Sequence, residues 1–241
     1  MNTANLYGPI VHQLSKALTE TGAVQILDLC SGAGGPWLIL LKSLEPKEGL
    51  SLQICLTDKY PYAKAFDNGK SLGGNRFRFH PVPVDAMQIP DELNGFRTIF
   101  SSFHHFQPLE ARAILQDAVN KRRGIGVFEL AGRRARTILL TFLMPVGSLL
   151  LTPIMRPFRW SRLVWTYLIP VIPFVLWFDG IMSCLRAYSL QELVGLTSGL
   201  TGQGYEWKIG QERSALFPLP ITYLIGYPIR ESQPVASSPE S

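Results

Sequence analysis

The stretch Val24-Gln-Ile-Leu-Asp28-Leu-Cys30-Ser-Gly32-Ala-Gly34-Gly-Pro36-Trp37 decides the fold. Val24–Leu29 is a short apolar run of strand type with Asp28 set near its end. Ser31-Gly-Ala-Gly-Gly35 comes next as a turn, and Pro36, whose fixed φ suits a first helical turn, opens a helix over Trp37–Leu44. The order is strand, glycine turn, helix. Upstream, Ile10, Val11, Leu14, Ala17 and Leu18 recur at helical spacing within Leu6–Thr21, and Gly22 supplies the stop.

Downstream the unit repeats. Leu50–Thr57 reads as a second strand ending in Asp58, with a short helix after it over Tyr62–Asn68. Phe77–Val84 reads as a third strand with Asp85 at its end, Thr98–Phe103 as a fourth, Pro108–Arg122 as a helix and Ile125–Leu130 as a fifth strand. Strands alternating with helices at this spacing predict right-handed βαβ units. They give an α/β, Rossmann-like, doubly wound and mostly parallel sheet. Such sheets bind ligands at the carboxyl ends of their strands. The Asp28 to Gly35 turn, Asp58, Asp85 and the Ser101-Ser-Phe-His-His105 turn all fall at those ends.

Beyond the fifth strand the pattern changes. Thr137–Met155 holds 19 consecutive uncharged residues and Leu163–Phe178 another 16, separated by a turn carrying Arg156, Arg159 and Arg162. Ser189-Leu-Gln-Glu192 is a capping box that opens a helix to about Leu196. Tyr205–Glu212 and Ile221–Tyr227 read as an antiparallel closing pair of strands. The expected organisation is a core over 1–136 and 179–229, an apolar helical insertion over 137–178, and a disordered Ser- and Pro-rich tail over 230–241.

Composition bounds the function. At 241 residues and 46% hydrophobic, the chain is long and apolar enough for one large core. Charged residues are only 17%, against about 25% in typical domains, so part of the surface is unusually apolar. Net charge is +5, and nine basic residues between Lys121 and Arg162 face one acid, Glu129. That segment therefore carries +8 and the rest of the chain −3. Basic residues that flank apolar runs, instead of lining a groove with stacking aromatics, argue against nucleic acid. They suit a membrane surface or a hydrophobic ligand. Cys30, Cys55 and Cys184 are odd in number and lack a CxxC pair, which argues against a disulfide frame and a structural zinc site; no metal is expected. The first 20 residues show no secretory pattern, so the expected location is cytoplasmic, with peripheral attachment to a membrane as an option.

The residues after the glycine turn narrow the choice of ligand. A dinucleotide fingerprint places a third glycine where this chain has Trp37, and no Gly-Lys-Ser/Thr of a P-loop is present. Asp28-Leu-Cys-Ser-Gly-Ala-Gly34 instead resembles the first motif of the class I S-adenosylmethionine-dependent methyltransferase family. The resemblance extends over nearly the whole ordered chain, and it implies S-adenosylmethionine as cofactor. Asp28, Cys30 and Gly32 fall in the turn around its methionine part. Asp58, with Lys59 beside it, falls where the family holds the ribose hydroxyls, and a carboxylate can accept from both hydroxyls of a diol. Asp85 and Ala86 fall where it holds the adenine, and Ser102 at the fourth strand's end. One departure is Cys30, where the family usually has glycine.

His104 and His105 stand at the expected pocket mouth and are the candidate bases for an acceptor that must lose a proton. Asp179, Arg186 and Tyr188 are second-rank candidates for orienting it. The expected activity is methyl transfer to an oxygen or nitrogen of a small hydrophobic acceptor, lipid-like or a natural product. The competing expectation is a non-catalytic module of the same fold that attaches to a membrane or protein partner through 137–178. That segment is expected as a lid, an interfacial element or a homodimer surface. Its prolines and its three central arginines disfavour a transmembrane hairpin.

Overall fold

The computed structural model describes residues 6–32, 34–48, 51–61, 74–156, 158–200, 204–213 and 219–229. The expected helix over Tyr62–Asn68 and the tail over 230–241 lie outside the described residues. Seven strands form one sheet: β1 Gln25–Leu29, β2 Gln53–Leu56, β3 Phe77–Phe79, β4 Phe96–Phe100, β5 Ile125–Glu129, β6 Tyr205–Glu212 and β7 Ile221–Pro228. Their order is β3-β2-β1-β4-β5-β7-β6, and every pairing up to β5 is parallel, whereas β7 runs antiparallel to both β5 and β6. The direction of winding reverses between β1 and β4, which is where open sheets of this kind form a crevice.

The described helices are α1 Val11–Thr21, α2 Trp37–Glu48, α3 Pro108–Asn120, α4 Ala135–Thr141, α5 Leu143–Leu151, α6 Trp160–Leu163, α7 Val171–Arg186 and α8 Leu190–Thr197. Alternation along the strands divides the core in two. Ile26, Phe96, Phe100 and Phe128 face α1 and α2, where Leu14, Leu18, Trp37 and Leu40 bury against them. Leu27, Leu29, Ile99 and Val127 face α3 and α8, meeting Ile114, Leu115, Leu193 and Leu196. The Ser189 capping box forms as expected: the Glu192 amide donates to the Ser189 hydroxyl, and the Ser189 amide to the Glu192 carboxylate.

Three boundaries differ from the sequence expectation. β3 stops at Phe79 because Pro81 and Pro83 bring no N–H to the ladder. β4 begins at Phe96, not Thr98, since Arg97 is a strand residue whose charge is met by Asp117 of α3 at 2.8 Å. It also ends at Phe100, and Phe103 belongs to a single 3-10 turn with His104 and His105.

The apolar segment is a helical hairpin longer than the expected 137–178. Its first arm is α4, α5 and a short 3-10 turn, Thr152–Ile154; its second is α7, which continues through Asp179 to Arg186. Asp179 therefore lies inside a helix and does not close the insertion, because its side of the helix faces the sheet's crevice and tolerates a polar group. Arg133 fastens the hairpin's base, donating to the Leu185 carbonyl and pairing with Glu192 of α8 at 2.8 Å.

Candidate active site

The turn after β1 is built by the ends of its two neighbours. The Ser31 amide and hydroxyl both donate to the Thr57 carbonyl, and Thr57 returns two bonds to the Asp28 carbonyl through its amide and hydroxyl. Cys30 sits at φ +54°, a left-handed conformation that glycine adopts freely and other residues rarely adopt. The expected departure at Cys30 is thus accommodated by strain in the turn. Its thiol is pushed up to about 12, first by burial and then by the Asp58 and Asp28 carboxylates, so it stays protonated. Gly32 comes next at φ +53°, and a Cβ built there would meet no atom of the described residues within 4 Å, so the turn faces open space among them.

Asp28 does not reach that space. It is 1% exposed, its Oδ1 accepts from the Thr98 hydroxyl at 2.6 Å, and its Oδ2 lies beneath Gly35. The structure gives it the work of holding the turn against β4. Burial pushes the Asp28 carboxyl up to about 7, against the pull of the Thr98 hydrogen bond. Between an ordinary carboxylate pKa near 4 and this value, the folded chain holds a proton that the unfolded chain has lost. Stability then falls as pH rises from about 4 to 7 and levels off above, by at most about 4 kcal/mol. Asp28→Asn keeps the acceptor for Thr98 and removes the titration, so denaturant unfolding at several pH values should show the slope in the native chain only. Equal slopes would mean that Asp28 is ionised in the fold.

Asp58 and Asp85 do face the crevice. Asp58 accepts the Gly32 amide on Oδ2 and the Tyr60 amide on Oδ1, both at 2.8 Å, which ties the glycine turn to β2 and leaves each oxygen a further lone pair. Asp85 accepts the Met87 amide at 3.0 Å and the Lys59 ammonium at 2.8 Å. Lys59, then the Met87 amide, holds its carboxyl below the usual carboxylate range. Lys59 thus stands over Asp85, not beside Asp58. The Val84 amide donates to the Asp58 carbonyl at 2.9 Å, so the two carboxylates share one rim. Ala86 is buried in the core below it. Ser102 turns its hydroxyl back to the Phe100 carbonyl and its own carbonyl to the His105 amide, so it shapes the loop.

The two histidines have different surroundings. The His104 side chain is 4% exposed, and its Nδ1 lies 2.7 Å from Oε2 of Glu129, at the end of β5. The other oxygen of Glu129 accepts the Phe103 amide at 2.7 Å. A carboxylate only accepts, so Nδ1 is the nitrogen that donates to Glu129, and the lone pair of a neutral ring is on Nε2. Nε2 is buried and has no hydrogen-bond partner among the described residues. His105 packs its ring 4.3 Å from that of His104 and is exposed; burial, then His104, lowers its pKa.

His104 and His105 border a cavity of about 570 Å³ between the strand ends and the base of the hairpin. Leu130, Leu140, Met144, Cys184 and Leu219 give it an apolar wall, with Asp179 and Ser183 among its few polar groups. Of the second-rank candidates, only Asp179 lines it. Tyr188 bonds the Phe106 carbonyl and supports the histidine turn from behind. Among the described residues, no three or more His, Cys, Asp or Glu side chains gather as metal ligands.

Two residues escape a reading of the sequence. Glu129 counts there only as a charge, although an acid ending a strand is the same signal that singles out Asp58 and Asp85. Tyr7, expected within the opening helix, lies before it and hydrogen-bonds Ser101 across the end of β4 at 2.8 Å. No sequence signal joins residues 94 positions apart.

A sheet ordered 3-2-1-4-5-7-6 with β7 reversed has counterparts among solved structures. The chain has the class I S-adenosylmethionine-dependent methyltransferase fold. LaPhzM superposes with a TM-score of 0.52 at 16% identity, over 92% of this chain and 55% of that one. A SAM-dependent methyltransferase from Aquifex aeolicus gives 0.50 at 14% identity, over 93% of both chains. Human N-acetylserotonin methyltransferase in complex with SAM gives 0.50 at 11% identity, over 92% of this chain and 52% of that one. The chain thus spans about half the length of the first and third, and nearly all of the second. No family model matches the sequence, and no curated protein does.

Proposed function

We propose that this chain transfers a methyl group from S-adenosylmethionine to an oxygen or nitrogen of a small hydrophobic acceptor. Three features fit the cofactor: the open space over Gly32, the spare lone pairs of Asp58 where a diol would sit, and the Asp85 carboxylate with buried Ala86 beside it. When bound, S-adenosylmethionine supplies a methyl group on a sulfonium, an excellent leaving group. The protein then has to align the acceptor, exclude water and receive a proton.

The observation that carries the proposal is His104. Glu129 engages Nδ1, so Nε2 is the nitrogen left to act as base, and it is buried without a hydrogen-bond partner among the described residues. An acceptor O–H or N–H seated there gives its proton to Nε2 as the new bond to carbon forms. Glu129 stabilises the resulting imidazolium through the Nδ1–H bond. The apolar wall of Leu130, Leu140, Met144 and Leu219 supports a hydrophobic acceptor. A non-catalytic attachment module would have no use for a buried, oriented and unpartnered imidazole.

Titration calorimetry with S-adenosylmethionine tests the reading. One equivalent should bind with micromolar affinity. No heat at high micromolar cofactor would overturn it.

A further inference from the structure

We propose that the helical hairpin lies flat on an anionic lipid bilayer, with its two arginine-bearing ends at the head groups of one leaflet and its outer face in the acyl boundary. Both arms carry two apolar stripes. The inner ones pack α4 and α5 against α7 and wall the cavity. The outer ones are open to solvent: Leu139, Phe142, Leu143, Val146 and Leu150 recur at helical spacing on one arm, Val171, Phe174, Val175 and Phe178 on the other, and all are exposed, although the Phe142 ring also meets that of Trp177 at 5.4 Å. Ordinary monomer surfaces do not leave two such stripes side by side in water.

The charges select the occupant. From Leu130 to Phe178 the chain has six arginines and no Asp or Glu. Arg133, Arg134 and Arg136 stand at the base, and Arg156, Arg159 and Arg162 at the tip, with the 19-residue uncharged run Thr137–Met155 between them. That run is about 30 Å long, so arginines at both of its ends reach head groups together when the hairpin lies in the plane. Arg136, Arg156 and Arg159 have no ion-pair partner among the described residues. Trp160 and Trp165, both exposed beside the tip arginines, are the residue type that settles at a membrane interface.

Two other arrangements fit less well. A second copy packed on this face by two-fold symmetry would bring two surfaces of six arginines each together, which like-charge repulsion opposes. A spanning hairpin would carry the three tip arginines through the bilayer, and the helical segment Trp160–Leu168 meets α7 at a bend of 71°.

The test is flotation with vesicles of phosphatidylcholine containing about one third phosphatidylglycerol, compared with phosphatidylcholine alone. The protein should float with the anionic vesicles in about 50 mM salt and be released at about 500 mM, where the charges are screened. The combined variant Arg156→Gln, Arg159→Gln, Arg162→Gln should bind about 100-fold more weakly, roughly five-fold for each arginine. Its calorimetric affinity for S-adenosylmethionine should be unchanged, because the tip does not line the site. Failure of docking and failure of the methyltransferase reading are thereby separate results. Fluorescence lost in Trp160→Phe should be quenched most by lipids brominated near the head group. Absence of flotation would overturn the proposal, and a dimer in sedimentation equilibrium would then identify a second copy on this face. Stronger quenching by deeply brominated lipid would overturn the flat arrangement in favour of a spanning one.

Discussion

Replacing His104 by alanine should lower turnover by about 10²–10⁴-fold while leaving S-adenosylmethionine affinity within a few fold, the range that removal of a positioned general base produces. The effect should concentrate in kcat, because Nε2 acts on the acceptor's proton as the bond to carbon forms and contributes little to holding either reactant. His105→Ala should retain near-normal turnover, since its exposed ring makes no bond to Glu129. Glu129→Gln separates positioning from structure. It keeps an acceptor for the Phe103 amide but loses the charge that fixes the Nδ1 proton and steadies the imidazolium, so kcat should fall by at least about tenfold in a folded protein with unchanged KM. Two single variants, His104→Ala and Glu129→Gln, with native kcat would show that the acceptor ionises unaided.

Asp58→Ala is expected to weaken cofactor binding more than any other change at the rim. The carboxylate holds the Gly32 and Tyr60 amides and would offer its remaining lone pairs to a ribose diol. Two charge-assisted bonds of about 1.5–3 kcal/mol each in gross effect would go with it. Some of this returns as water fills the gap, so a fall in affinity of tenfold to a few hundredfold is the expected calorimetric result. Asp58→Asn should lose less, because one oxygen remains to accept. Native affinity in a folded Asp58→Ala protein would mean that the cofactor does not lie along this rim.

Much of this site is legible without the fold, because the residues that mark it obey local rules. Glycines that tolerate left-handed backbone come after β1, and acids mark the ends of β1 and β2 and the loop after β3, at spacings that suit a βαβ alternation. Relations across the sheet stay concealed in the sequence. Arg97 looks like the end of a strand because a charge is seldom buried, yet Asp117 on α3 makes it tolerable at 2% exposure. Asp28 reads in sequence as part of the turn around the cofactor, and only the fold shows that its strand position turns it under Gly35 and toward Thr98. His104 and His105 are equivalent in sequence and become distinct only where β5 places Glu129 beside one of them. The hairpin is visible from composition alone, but its helical period continues past Asp179, and only the fold shows that this acid faces the cavity.

The most direct measurement is a crystal structure with S-adenosylhomocysteine, the demethylated cofactor. The ribose is expected on Asp58, the adenine against Asp85 and Ala86, and the sulfur turned toward the cavity that His104 and the hairpin base enclose. A sulfur facing away from His104 would contradict the proposed chemistry. Ligand bound at the opposite end of the sheet, in the larger cleft of about 730 Å³ lined by Gly22, Gly95, Arg123 and Gly124, would contradict it as well.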